Sequence, residues 1–202
     1  MEQLTSEKQS AILDAARKRF AYYGFSKVTM DEIAADIGMG KTSLYYYFPT
    51  KASLFGEVIK AESTQFLKGM QSITDQEFSP SEMLRKYTSQ RIEHFRNLVN
   101  LRVLEFQLDV ELRLPLRSLL NDFQEKEIDL LTHILTIGNS LGEFSISNPR
   151  RTAEVIIQAL WGPRSLLLHK HGNNLDDNTF RVMGQVTSEI AEIILNGITK
   201  SK

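Results

Sequence analysis

Residues 28–55 read VTMDEIAADIGMGKTSLYYYFPTKASLF. The stretch encodes a capped short helix, a glycine turn and a second short helix. Thr29 is placed to cap the first, because its hydroxyl can accept from the free amides of the opening turn. Glu32 stands three residues on, where a capping box needs it. Ile33, Ala34 and Ile37 form one small apolar face, so a helix is expected over Met30–Ile37. Gly38 follows at the position that takes a left-handed conformation, and Met39 is expected to turn inward. The next helix is expected over Lys41–Phe48. Leu44 and Phe48 lie four apart on its buried face. Lys41, Thr42, Ser43, Tyr45, Tyr46 and Tyr47 occupy the rest, and three consecutive tyrosines are poorly explained as core. Tyrosine hydroxyls reach phosphates and their rings touch thymine methyls, so this surface suits a DNA major groove. Pro49 ends the helix and Thr50 can cap the next. Lys51 in that next first turn opposes the helix dipole, which suggests a nearby anionic partner.

Thr29, Ile33, Ala34, Gly38, Leu44, Tyr45, Tyr47, Phe48, Lys51 and Leu54 fall in an order that resembles the DNA-binding domain of the tetracycline-repressor (TetR) family. The likeness extends upstream through AILDAARKRFAYYGFSKVTM, where Phe20, Gly24 and Phe25 match the end of the family's first helix. It covers about a quarter of the chain. The resemblance implies base contacts from Lys41, Thr42, Ser43 and Tyr45, and phosphate contacts from Thr29, Tyr46, Tyr47 and Lys51. It also implies a homodimer joined by a four-helix interface.

The rest of the chain is consistent with this and adds limits. Its 202 residues allow one or two domains, and 42% hydrophobic content suffices for a core. Without cysteine there is neither a disulfide framework nor a thiolate metal site. No apolar run has the length of a membrane span, and the polar start MEQLTSEKQS lacks a signal-peptide core, so a cytoplasmic location is expected. Net charge is −1, and residues 1–51 hold seven Lys/Arg against six Asp/Glu. DNA binding must then use few phosphate ion pairs and local positive charge, with a moderate salt dependence.

Glycine and proline are sparse and no strand-type alternation is present, so the chain reads as all-α with about nine helices. Residues 1–50 form an expected helix-turn-helix DNA-binding domain and 51–202 a helical ligand-binding and dimerisation domain. Helices are expected at Ser6–Tyr23, with Ile12, Ala16, Phe20 and Tyr23 inward, and at Lys51–Ser72. Ser79-Pro80 starts one that reaches Asn97 and carries Arg91 on its apolar stripe. Further helices are expected at Leu98–Glu111, from Pro115 to Leu141, and at 150–171 and 176–199. Asn148-Pro149 opens the 150–171 helix, where Pro163 should introduce a kink. This helix and the last one carry more apolar surface than one core of this size needs, and are the expected dimer contact.

Arg102, Glu105, Phe106, His133, Trp161 and Arg164 could line a cavity for a small-molecule effector, although packing and dimer contacts explain the same residues. The four histidines, 94, 133, 169 and 171, are too scattered for a metal site. The Glu125–Asp129 pair reads as a solvated face. No nucleophile, base and orienting partner come together, so no catalytic residue, metal or cofactor is expected. The expected function is a ligand-relieved repressor that binds double-stranded operator DNA as a homodimer. A helical small-molecule-binding or catalytic protein that has lost DNA binding is the alternative from another class, and an activator is a third.

Overall fold

The computed structural model describes residues 2–97, 110–171 and 176–199, without the side chains of 2–6, 94, 95, 97, 110–115 and 161–171. Among the described residues the fold is all-α, with eight helices: α1 (Glu2–Tyr23), α2 (Met30–Asp36), α3 (Lys41–Tyr47), α4 (Lys51–Thr74), α5 (Pro80–Asn97), α6 (Val110–Ser140), α7 (Pro149–His171) and α8 (Asp177–Ile198). The helix expected at 98–111 falls almost wholly outside the described residues. The following one begins at Val110 rather than Pro115. Proline inside a helix removes one backbone hydrogen bond, and here the helix continues through Pro115.

Capping chemistry sets most boundaries. Thr29 and Glu32 close a full capping box on α2. Ser79 and Glu82 close another on α5: Ser79 Oγ accepts from the Glu82 amide (3.3 Å), and the Glu82 carboxylate accepts from the Ser79 amide (2.9 Å). Asn148 Oδ1 accepts from the Arg151 amide at 3.0 Å, with Pro149 in the first turn of α7. Asp176 does the same for α8 through the Thr179 amide at 2.7 Å. In each case a side-chain oxygen satisfies a first-turn amide that has no intrahelical partner.

Two compact units result. One takes the residues up to Thr64 together with α6 as far as Leu120; the other takes Gln65–Asn97 and the described residues from Asn121 on. The first is built on Ile12, Ala16, Phe20, Ile33, Leu44, Leu54, Phe55 and Ile59, all buried. Phe20 meets Phe55 edge-on with centroids 5.0 Å apart. Tyr23, expected inward, is half exposed because it is the last residue of α1 and the core ends a turn earlier. Arg19 lies over its ring at 5.7 Å instead.

In the second unit α8 packs on α5 and α7. Phe66 and Phe123 meet edge-on at 5.3 Å. Glu125 and Asp129, read from sequence as a solvated pair, are exposed and both bind Arg150, at 2.5 and 2.7 Å. A buried polar cluster joins α5 to α6. Tyr87 Oη and Arg91 Nε, on α5, both donate to Oε1 of Glu127 on α6, and all three residues are almost fully buried. Burial, and then the Glu127 charge, hold the Tyr87 phenol well above its ordinary pKa. Arg91 stands on the expected stripe. Glu127 follows Phe123 by four residues and so shares its core register, a signal available in the sequence.

The turn after α6 depends on Gly138. A β-carbon there would come within 2.0 Å of the buried Phe144 ring. Asn139 braces the same loop, accepting from the Ile146 amide (3.0 Å) and donating to its carbonyl (2.6 Å). The loop then donates from the Ser145 amide to the Ile198 carbonyl at 2.8 Å. Gly138→Ala is expected to displace Phe144 and cost about 1–3 kcal/mol, the range for overpacking a closed core. A urea midpoint unchanged from wild type would show that the ring moves aside freely.

Candidate nucleic-acid interface

The turn between α2 and α3 is a Schellman motif. The Gly38 amide donates to Ala35 O (3.1 Å) and the Met39 amide to Ala34 O (2.9 Å), with Gly38 at φ 62°. That left-handed conformation costs glycine little and other residues more. Met39, expected to turn inward, is only half-buried and lines a surface groove instead of joining the core. Gly40 then precedes α3, which ends at Tyr47 when Phe48 leaves helical geometry and Pro49 follows.

Leu44, fully buried, and Phe48 anchor α3 to the first unit's core. This turns the other face outward. Lys41, Thr42, Ser43, Tyr45 and Tyr46 are exposed and Tyr47 is half-buried. Tyr46 is 83% exposed, held only by an edge contact with Tyr47 at 5.5 Å. A large aromatic in that condition gains little for the isolated fold and offers ring and hydroxyl to a partner. The structure therefore brings the residues expected at bases onto one surface, with Tyr46 and Tyr47 beside them.

The other two expected phosphate residues have internal duties. The Thr29 hydroxyl accepts from the Glu32 amide at 3.3 Å and donates to its carboxylate at 2.8 Å. The Lys51 ammonium donates to Phe25 O and Val28 O, both at 2.9 Å, and lies 4.3 Å over the Phe25 ring. It pins the segment between α1 and α2 to the start of α4, and one of its three donors is left over. Two carbonyl oxygens of the chain itself thus supply part of the negative partner expected at Lys51.

Other charges near the surface are paired as well. Lys41 meets Asp31 at 2.8 Å, and that contact raises its pKa. Arg19, on α1, grips the Asp36 carboxylate through Nε and Nη2 and lies 3.5 Å from Glu32. The hydrogen bond from Arg19 lowers the pKa of Asp36, and the Thr29 amide lowers that of Glu32. This brace between α1 and α2 was not anticipated. Arg19 and Asp36 are seventeen residues apart in sequence, and no local pattern links them. Among the proposed effector residues, His133 is exposed on α6. Arg102, Glu105 and Phe106 lie outside the described residues, as do the side chains of Trp161 and Arg164.

Residues 12–58 match the family model for bacterial regulatory proteins of the tetR family. Over its whole length the chain is similar to a transcriptional regulator from Cytophaga hutchinsonii ATCC 33406. The two share 34% sequence identity and a TM-score of 0.84, with 96% of this chain and 99% of that one aligned. The chain belongs to the tetR family. Family members more distant in sequence align over similar lengths. The HTH-type transcriptional regulator QacR of Staphylococcus aureus is 24% identical over 94% of this chain and 97% of its own. The crystal structure of the regulator FadR from Bacillus subtilis, in complex with stearoyl-CoA, has the same fold, with a TM-score of 0.72 at 21% identity over 94% and 98% of the two chains. As a tetR-family protein the chain is a DNA-binding transcriptional regulator with a helix-turn-helix in α2 and α3.

Proposed function

We propose that this regulator is a repressor that binds a palindromic operator as a homodimer and is released by a small molecule. The observation that carries the reading is the exposed face of α3, where Tyr46 and its neighbours stand free above a core anchored by Leu44. In this reading residues 1–50 read DNA. Lys41, Thr42, Ser43 and Tyr45 meet base edges, while Thr29, Tyr46, Tyr47 and the remaining donor of Lys51 meet phosphates. Base edges carry the sequence information and phosphates set the register.

One short helix reads only a few base pairs, so specificity calls for two copies related by a two-fold axis. Residues 51–202 would hold the dimer contact and the effector site. Helices α7 and α8 are the candidate contact. Val155 is 47% and Ile193 72% exposed in the single chain, and Val186, Ile190 and Ile194 beside them are half-buried. The effector site is assigned to residues 51–202, and the exposed His133 on α6 gives no support to its place in a cavity lining. FadR, which was solved with stearoyl-CoA, supports an apolar or acyl ligand by analogy of fold alone. Because α4 runs through both compact units, it is the natural lever for release. The effector must bind the operator-bound and released conformers unequally. No helix among the described residues is long and apolar enough to cross a membrane, and the reading places the protein in the cytoplasm with no catalytic role.

The test is a footprint of the purified protein on genomic DNA, followed by release with the ligand that mass spectrometry finds in the protein. Two half-sites about one helical turn apart, vacated on adding that ligand, are expected. A single asymmetric half-site, or occupancy indifferent to every bound molecule, would sink the dimer and the effector respectively. Tyr46→Ala is expected to weaken operator binding by about tenfold, roughly 1.4 kcal/mol. It should leave the dimer and the melting curve unchanged, because Tyr46 stands in solvent. Unaltered affinity would remove Tyr46 from the interface.

A further inference from the structure

We propose that a groove between α1 and α3 is a seat for one phosphate of the DNA backbone, and that Lys8 supplies its positive charge. The groove has a volume of about 670 Å³ and lies wholly within the first unit. Lys8 of α1 stands on one side. The turn Ile37–Gly40 forms the floor, and Thr42, Ser43, Tyr46 and Tyr47 of α3 line the other side.

Three features give the groove an anionic preference. No carboxylate lines it. Its lining residues include one lysine and four hydroxyl-bearing residues, and none of these five side chains has a hydrogen bond or ion pair among the described residues. Glu7, the adjacent acid, points about 100° away around the helix axis. The glycines at 38 and 40 also keep the floor low, since neither carries a side chain that would fill it.

The cations of the motif point the same way. Lys41 is held by Asp31, Lys51 by two carbonyls and Arg19 by Asp36, while the exposed Lys27 lies outside the groove. A phosphate contact from any of the first three requires a bond to be shared or broken. Lys8 requires neither, and it lines the same groove as Tyr46. For a chain of net charge −1, a lysine with no bond to give up, in a groove beside the reading surface, is an economical source of the salt-dependent part of binding. The inference rests on α3 being the DNA-reading helix and extends the interface to α1, which the motif alone does not include.

The experiment measures affinity across a salt series for a duplex that the wild-type protein has selected from a random-sequence pool. Lys8→Ala is expected to reduce the slope of log K against log salt by roughly 0.9 for each subunit engaged, and to weaken binding several-fold at low salt. Lys8→Arg should keep the wild-type slope. Lys18→Ala, an exposed lysine ten residues further along α1 and outside the groove, should keep it too. An unchanged slope in Lys8→Ala overturns the proposal. So does an equal fall in Lys18→Ala, which would make the effect one of diffuse charge. If the wild-type chain enriches no duplex, the DNA-reading role of α3 fails first and the groove with it.

Discussion

Glu127→Ala is expected to lower the unfolding free energy by about 3–5 kcal/mol, the range for removing one partner of a buried ion pair. The carboxylate stands with no exposure to solvent and accepts from both Tyr87 and Arg91 through a single oxygen. Without it, the buried Arg91 guanidinium loses this carboxylate contact, and the buried Tyr87 hydroxyl loses its acceptor. The other oxygen, Oε2, has no hydrogen-bond partner in wild type, so the cluster is already partly unsatisfied. The combined replacement Tyr87→Phe, Arg91→Met, Glu127→Leu should therefore recover part of the loss, since the desolvation cost of these two charges disappears with them. Urea unfolding at one protein concentration measures both. A loss under about 1 kcal/mol for Glu127→Ala would mean that water reaches the cluster.

The same cluster predicts alkaline sensitivity. Tyr87 has its pKa raised in the folded state. Its contribution to stability is therefore complete below about pH 10, the value of a free phenol, and is lost as pH rises above it. Tyr87→Phe should flatten the alkaline limb of the stability profile. A limb of the same steepness in that variant would assign it to other groups.

Lys51→Ala is expected to cost about 2–3 kcal/mol. Two charge-assisted hydrogen bonds are each worth roughly 1.5–3 kcal/mol, offset by the freedom that a long side chain regains. The loss has a functional consequence. Phe25 and Val28 lead directly into Thr29, the cap of α2, so releasing them loosens the support of the reading helix. Operator affinity should fall at least tenfold, about 1.4 kcal/mol, and amide exchange over residues 25–30 should accelerate together with it. If affinity falls while exchange and stability stay at wild-type levels, Lys51 acts on phosphate alone and its two carbonyl bonds are incidental.

Periodic and capping signals were the legible part. Thr29 with Glu32, Ser79 with Pro80, and Asn148 with Pro149 each mark a helix start within a few residues, because the cap and the amide it satisfies are neighbours in the chain. The α4 stripe of Phe55, Val58, Ile59, Glu62, Phe66 and Met70 is buried throughout, as helical spacing requires. Tyr23 departed from its stripe because spacing does not say where a core stops. Pro115 suggests a helix start because a proline is compatible with the first turn, and nothing local reveals that the helix already includes Val110.

At the candidate interface the division is sharper. The identity of the surface, Lys41 to Tyr47 carried on a short helix after a left-handed Gly38, was settled by residues close in sequence and by turn stereochemistry. Which of its charges are available was not. Lys51 reaches back to Phe25 and Val28, Arg19 crosses to Asp36, and Lys8 meets α3 across a groove. These partners are separated by seventeen to more than thirty residues, and their distances exist only once α1, α2 and α3 have packed. The sequence by itself determined an all-α DNA-reading protein, because caps, glycine conformation and 3.6-residue spacing are local properties. Tertiary structure alone decided how its few positive charges are used, because an ion pair depends on a distance through space that no local pattern encodes.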